Sequence, residues 1–135
     1  MIILFIFVAL FSCAKEQHNY DVSFVQDIVV DSCTSVNINI QITLPENVSA
    51  DKTGILWSLC EKPLLTDPSE DENGCQESPR IYVTNGALEQ FAFNLTGEPQ
   101  ISGYGFIPGI PYYLRSFTVI DNVPYYGPVI KFGCQ

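Results

Sequence analysis

The amino-acid sequence predicts an all-β domain, a Greek-key sandwich of about seven short antiparallel strands. Three observations predict it. Val36, Ile38, Ile40, Ile42 and Leu44 alternate with Asn37, Asn39, Gln41 and Thr43, the period of a strand with one dry and one wet face. Turn-forming pairs such as Asp31-Ser32, Asn85-Gly86 and Asp121-Asn122 recur between short apolar runs. After Phe11 no apolar stripe follows helical spacing.

The elements follow in order. Ser23–Val30 reads as the first strand, turning at Asp31-Ser32 into the alternating strand, which Pro45 ends because proline cannot donate to a ladder. Asn47–Gly54 is a loop, and Ile55–Leu59 around Trp57 is a third strand. Lys62–Gly74 is a long, polar, proline-containing loop. Arg80–Thr84 and Glu89–Leu95 are strands around the Asn85-Gly86 turn. Tyr112–Ile120 is rich in β-branched and aromatic residues, Asp121-Asn122 turns, and Tyr125–Phe132 is the last strand.

The N-terminus sets the compartment. Met1–Phe11 is an unbroken apolar run, too short for a bilayer span of about 20 residues. It suits the apolar region of a secretory signal, roughly 7–15 residues. The run stops at Ser12-Cys13 and turns polar at Lys15-Glu16-Gln17. Leu10-Phe11-Ser12-Cys13 resembles a bacterial lipobox. That resemblance implies a lipoprotein signal peptide at residues 1–12, Cys13 acylated by palmitate-type chains, a tether at 13–21 and a domain at 22–135. Several acyl chains on one residue anchor stably. Lys15-Glu16 resembles the charged signal that sends some lipoproteins to the cell surface. The expected location is the bacterial cell envelope at the outer membrane, with the facing side open.

Composition narrows the partners. The chain of 135 residues carries a net charge of -9. An acidic surface argues against nucleic acid and against electrostatic attachment to anionic lipid. Residues 13–135 form one domain's worth of chain. Besides Cys13 there are Cys33, Cys60, Cys75 and Cys134, an even number that reads in an exported domain as two disulfides with three pairings open. No C-x-x-C is present, and the only histidine, His18, lies in the tether, which disfavours a tetrahedral zinc site.

The segment from Phe106 to Phe117, FIPGIPYYLRSF, resembles the signature of fibronectin type III-like modules: an apolar residue, Pro-Gly, then Tyr-Tyr-aliphatic-Arg. Tyr126–Phe132 resembles their last strand, Gly54–Ser58 their third, and Phe91–Thr96 the strand before the Pro-Gly turn. The resemblance implies a fibronectin type III/immunoglobulin-like sandwich. In it Pro108-Gly109 carries the chain between sheets, and Tyr112 is the corner tyrosine with its hydroxyl on turn backbone. Leu114 shares the face of Tyr112, with Tyr113, Arg115 and Phe117 opposite, and Trp57 fills the core. The implied topology sets Cys33 beside Cys134 and Cys60 beside Cys75. Closing loops of about 100 and about 15 residues would stabilise by roughly 4.7 and 3 kcal/mol on the chain-entropy model.

Few residues suggest chemistry. Asp67, Glu70, Asp71 and Glu72 form an oxygen-rich loop of the kind that binds calcium, but the EF-hand spacing is not met, and such runs are usually solvated. No other cofactor or metal is suggested. Tyr104, Phe106, Tyr125 and Tyr126 are candidate ligand contacts, because aromatics near loops offer flat apolar area with a polar tip. A nucleophile needs a base and an orienter, and no such set is present, so no catalysis is expected. The expectation is a lipid-anchored module that binds a glycan or a protein, or alternatively a structural subunit of an outer-membrane assembly joined by strand addition.

Overall fold

The computed structural model describes residues 19–33, 35–65, 69–70, 75–95 and 106–134. The alternating segment forms the centre of a three-stranded antiparallel sheet. In it β2 (Ser35–Thr43) lies between β1 (Ser23–Ser32) and β7 (Gln90–Asn94). A five-stranded sheet faces it. Its order is β10 (Ile130–Phe132), β8 (Tyr112–Ile120), β3 (Lys52–Ser58) and β6 (Arg80–Val83), with β9 (Val123–Tyr126) also paired to β8. A short strand inside the region read as a long loop, β4 (Ser69–Glu70), pairs with β5 (Gln76–Glu77) just beyond it. The fold is an all-β sandwich.

The core lies between the sheets. Val36, Ile38, Ile40 and Ile42 point into it from one side, and Ile55, Trp57 and Leu114 from the other. Each fully buried aliphatic or aromatic side chain is worth about 1.5–3 kcal/mol. Tyr82 stacks on Phe93 with ring centroids 4.0 Å apart, joining β6 to β7 across the sheets. The Asn85-Gly86 turn therefore makes a sheet crossing and not a hairpin. Gly86 and Ala87 take positive φ there. Thr53 Oγ1 donates to Leu88 O (2.6 Å), and the Thr84 hydroxyl lies 2.6 Å from it and accepts from Leu88 N (3.0 Å), so two buried hydroxyls hold the crossing. Asp121 and Asn122 both take positive φ, as a tight hairpin turn with the twist of its strands requires.

The expected last strand is interrupted. β9 and β10 pair with the same edge of β8, but after the Gly127 N–H, which donates to Ser116 O (2.9 Å), the chain leaves the ladder at Pro128 and Val129. Pro128 has no N–H to give. Gln26, pointing inward from β1, fills the gap. Its Oε1 accepts from the Ser116 N–H (2.5 Å) and Ser116 Oγ (2.6 Å), and its Nε2 donates to Pro128 O (2.7 Å). One side-chain amide thus stands in for a peptide group and ties the two sheets together. Gly127 is needed beside it, since a Cβ there would lie 2.6 Å from Ser116 Oγ and 2.8 Å from Gln26 Oε1.

Two substitutions test this packing. Gly54 sits under the Phe117 ring, where a Cβ would come 1.9 Å from Tyr82 O and 2.8 Å from the ring. Gly54→Ala is expected to cost about 1–3 kcal/mol in urea denaturation, as overpacking does. Gln26→Ala leaves the buried Ser116 N–H without an acceptor, and the same measurement should show a loss of about 1–3 kcal/mol.

Candidate functional site

Of the aromatic residues proposed as ligand contacts, the three that are described, Phe106, Tyr125 and Tyr126, do not form a patch. Phe106 is 6% exposed and sits in the core, edge-on to Tyr112 (4.8 Å) and Phe132 (5.2 Å). This corrects its reading as a surface contact: the ring following the loop is drawn in to cap the end of the sandwich. Tyr125 bonds through its hydroxyl to Tyr20 N (3.2 Å), with the two rings 6.2 Å apart. Tyr126 lies under the Arg115 guanidinium, 4.4 Å from its ring centroid, and its hydroxyl accepts from Leu65 N (3.0 Å). These tyrosines hold structure together. Tyr104 and Cys13 lie outside the described residues, as do Asp67, Asp71 and Glu72. Glu70 falls in β4. Among the described residues no group of three or more His, Cys, Asp or Glu could hold a metal ion.

The four described cysteines are paired. Cys33 bonds Cys134 at one pole, where Phe106 N donates to Cys33 O and Gly109 N to Cys134 O, both at 3.0 Å. At that pole the Tyr112 hydroxyl accepts from Ile107 N (3.0 Å), the corner-tyrosine bond to turn backbone. Cys60 bonds Cys75 across the loop that follows β3. The opposite pole holds the start of the domain, where the Tyr20 hydroxyl donates to Asp121 Oδ2 (3.1 Å). That bond to a carboxylate raises the hydroxyl's pKa above its ordinary value.

The outer faces of the two sheets differ. On the five-stranded sheet, Leu56 and Phe117 point away from the core yet are fully buried. Pro63, also buried, belongs to the loop that covers them. Arg115 ties the loop down, donating from Nε to Gly127 O (3.0 Å) and from Nη1 to Pro63 O at the long limit of 3.5 Å. Burial pushes the Arg115 pKa below its ordinary value, and the charge is spent on carbonyls and on the Tyr126 ring. The β6 side of this face keeps apolar side chains open, with Ile81 44% and Val83 47% exposed.

The outer face of the three-stranded sheet is uncovered among the described residues, and it is built of amides. Strand register sets three rows across it: Asn94, Asn37 and Val29; Ala92, Asn39 and Asp27; Gln90, Gln41 and Val25. The first row is closed by hydrogen bonds, Asn94 Nδ2 to Asn37 Oδ1 (2.8 Å) and Asn37 Nδ2 to Asp31 Oδ2 (2.7 Å). In the other two rows Asn39, Gln41 and Gln90 are exposed. The small Ala92 side chain leaves two shallow troughs of about 390 and 410 Å3 that share Asn39 and Ala92. The signal for this face lay in the wet half of the Val36–Leu44 alternation, whose residues are amides at 37, 39 and 41.

No protein-family model and no curated protein matches this chain. The covering loop yields a check. Replacing Cys60 and Cys75 by serine releases the far end of the loop. The expected result is a stability loss of about 2–4 kcal/mol together with faster amide hydrogen exchange at Leu65, whose N–H is bonded to Tyr126.

Proposed function

We propose that this chain is a lipid-anchored binding module of the bacterial cell envelope, of fibronectin type III-like descent, held at the outer membrane by acyl groups on Cys13 and without catalysis of its own. The observation that carries the binding reading is the open amide face. On a strand paired on both sides these amides guard no edge, and they stand side by side, exposed and with no partner among the described residues. The lipobox-like Leu10–Cys13 supports the anchor. Between Cys13 and Tyr20 the chain reaches at most about 25 Å at the extended rise per residue. The pole with Tyr20 and Asp121 then faces the bilayer, and the amide face stands to the side, accessible to ligand.

Cys13→Ala tests the anchor. Metabolic labelling with an alkyne fatty acid should mark the wild type and not the variant, and the variant should move from the membrane to the soluble fraction. An unlabelled wild type overturns the anchor.

A second reading rests on β6. It is an edge strand of the five-stranded sheet, and Ile81, Val83 and the nearby Leu88 are exposed. A partner strand added there would cover them, which suits a subunit of an outer-membrane assembly. A pull-down from gently solubilised membranes separates the two readings. A stoichiometric envelope protein, lost on Val83→Lys, supports the assembly subunit; purification alone supports the module.

A further inference from the structure

We propose that the outer face of the three-stranded sheet binds a neutral polysaccharide chain, laid in the trough between β2 and β7. The proposal rests on the binding-module reading and names its ligand class. Three observations carry it. First, the groups that line the trough are of the right kind. A primary amide offers two donors and an acceptor in one plane, as neighbouring sugar hydroxyls do in reverse. Asn39, Gln41 and Gln90 present such groups side by side, exposed and without partners among the described residues, and Asp27 adds a carboxylate acceptor.

Second, the shape suits a chain and not a single small molecule. The two troughs share Asn39 and Ala92, so they run on from Gln41 and Gln90 to Asn37 and Asn94. Four residues of strand measure about 13 Å at the rise of an antiparallel sheet. The floor at Ala92 and the flank at Val25, 63% exposed, offer methyl groups to the C–H faces of sugar rings. The row closed by Asn94, Asn37 and Asp31 fixes one end of the trough before any ligand arrives, which lowers the ordering cost of binding.

Third, charge selects the neutral class. Among the described residues the lining has no cation and Asp27 is its only charged side chain, and the chain carries a net charge of -9. Phosphorylated or uronic-acid polymers would be repelled. A peptide strand is a poorer fit, because the backbone of β2 already pairs on both sides and a peptide would meet side chains alone.

Affinity electrophoresis of the full chain in mild detergent tests this, in native gels containing soluble β-glucan, α-glucan, α-mannan, galactan or polygalacturonate. At least one neutral polymer is expected to retard the protein and polygalacturonate is not. Asn39→Ala and Gln90→Ala should each weaken retardation roughly threefold to tenfold, the worth of one or two hydrogen bonds. Val83→Ser, on the other sheet, should leave it unchanged, and circular dichroism should show all variants folded. Retardation that survives both amide substitutions overturns this face while leaving the module reading standing. Retardation by no neutral polymer, or by polygalacturonate alone, overturns the proposal. The pull-down then decides the module reading separately.

Discussion

The structure depends on the burial of one side of β2. Val36, Ile38, Ile40 and Ile42 are each at most 2% exposed, and together they form most of one wall of the core. Because side chains alternate along a strand, this burial leaves Asn37, Asn39 and Gln41 no choice but to face out. A slip of one residue would bury three amides and expose four aliphatic side chains, so the register is held by several kcal/mol for each misplaced residue. The same force that builds the core therefore lays out the amide rows. Neighbouring strands inherit the register: Gln41 sets the row of Gln90 and Val25, and Asn39 the row of Ala92 and Asp27.

The other sheet is finished in a different way. Its outer side carries Leu56 and Phe117, which water would expose at a cost, and the chain covers them with the loop that leaves β3. Cys60–Cys75 closes that loop, and Arg115 at Pro63 O and the Tyr126 hydroxyl at Leu65 N hold it. The edge beside it is irregular because Pro128 cannot continue the ladder, and Gln26 repairs the break from the opposite sheet. One face is thus consumed by internal packing. Among the described residues, the amide face and the exposed β6 margin stay open to other molecules.

Much of the fold is legible in the residues. The wet and dry alternation of β2, the span Tyr112–Ile120 and the Asp121-Asn122 turn lie where their local patterns put them, because each is set by interactions within a few residues. What is not legible depends on distant partners. Nothing local to Gln26 shows that its amide would enter a break about 90 residues on. Nothing local to Lys62–Gly74 shows that its first turn would cover a sheet, because Pro63 and Leu64 read equally well as loop residues. The aromatic residues misled for the same reason. Phe106 beside a Pro-Gly turn has the composition of an exposed loop aromatic, and only the closing of the Cys33–Cys134 pole draws it inward. The amide face was readable as wet, but its troughs were not, since they arise from Ala92 on a strand that joins β2 across the sheet.

The two poles give the open face its direction. Tyr20 is bound at the pole of Asp121 and Tyr125, and β1 runs from there to Cys33, which is locked to Cys134 at the far end. A pull on the chain ahead of Tyr20 would load β1 along its length, against the ladder with β2 and the Gln26 bridge to β8. The far disulfide keeps the end of β1 from peeling away from the last strand. A sheet face on such a strand keeps its geometry under load, because force along β1 strains many ladder bonds together and not one after another. With the proposed anchor and ligand, such a trough would meet a chain that is itself long and fixed in place, where repeated weak hydrogen bonds act together and orientation is worth more than the strength of any single bond.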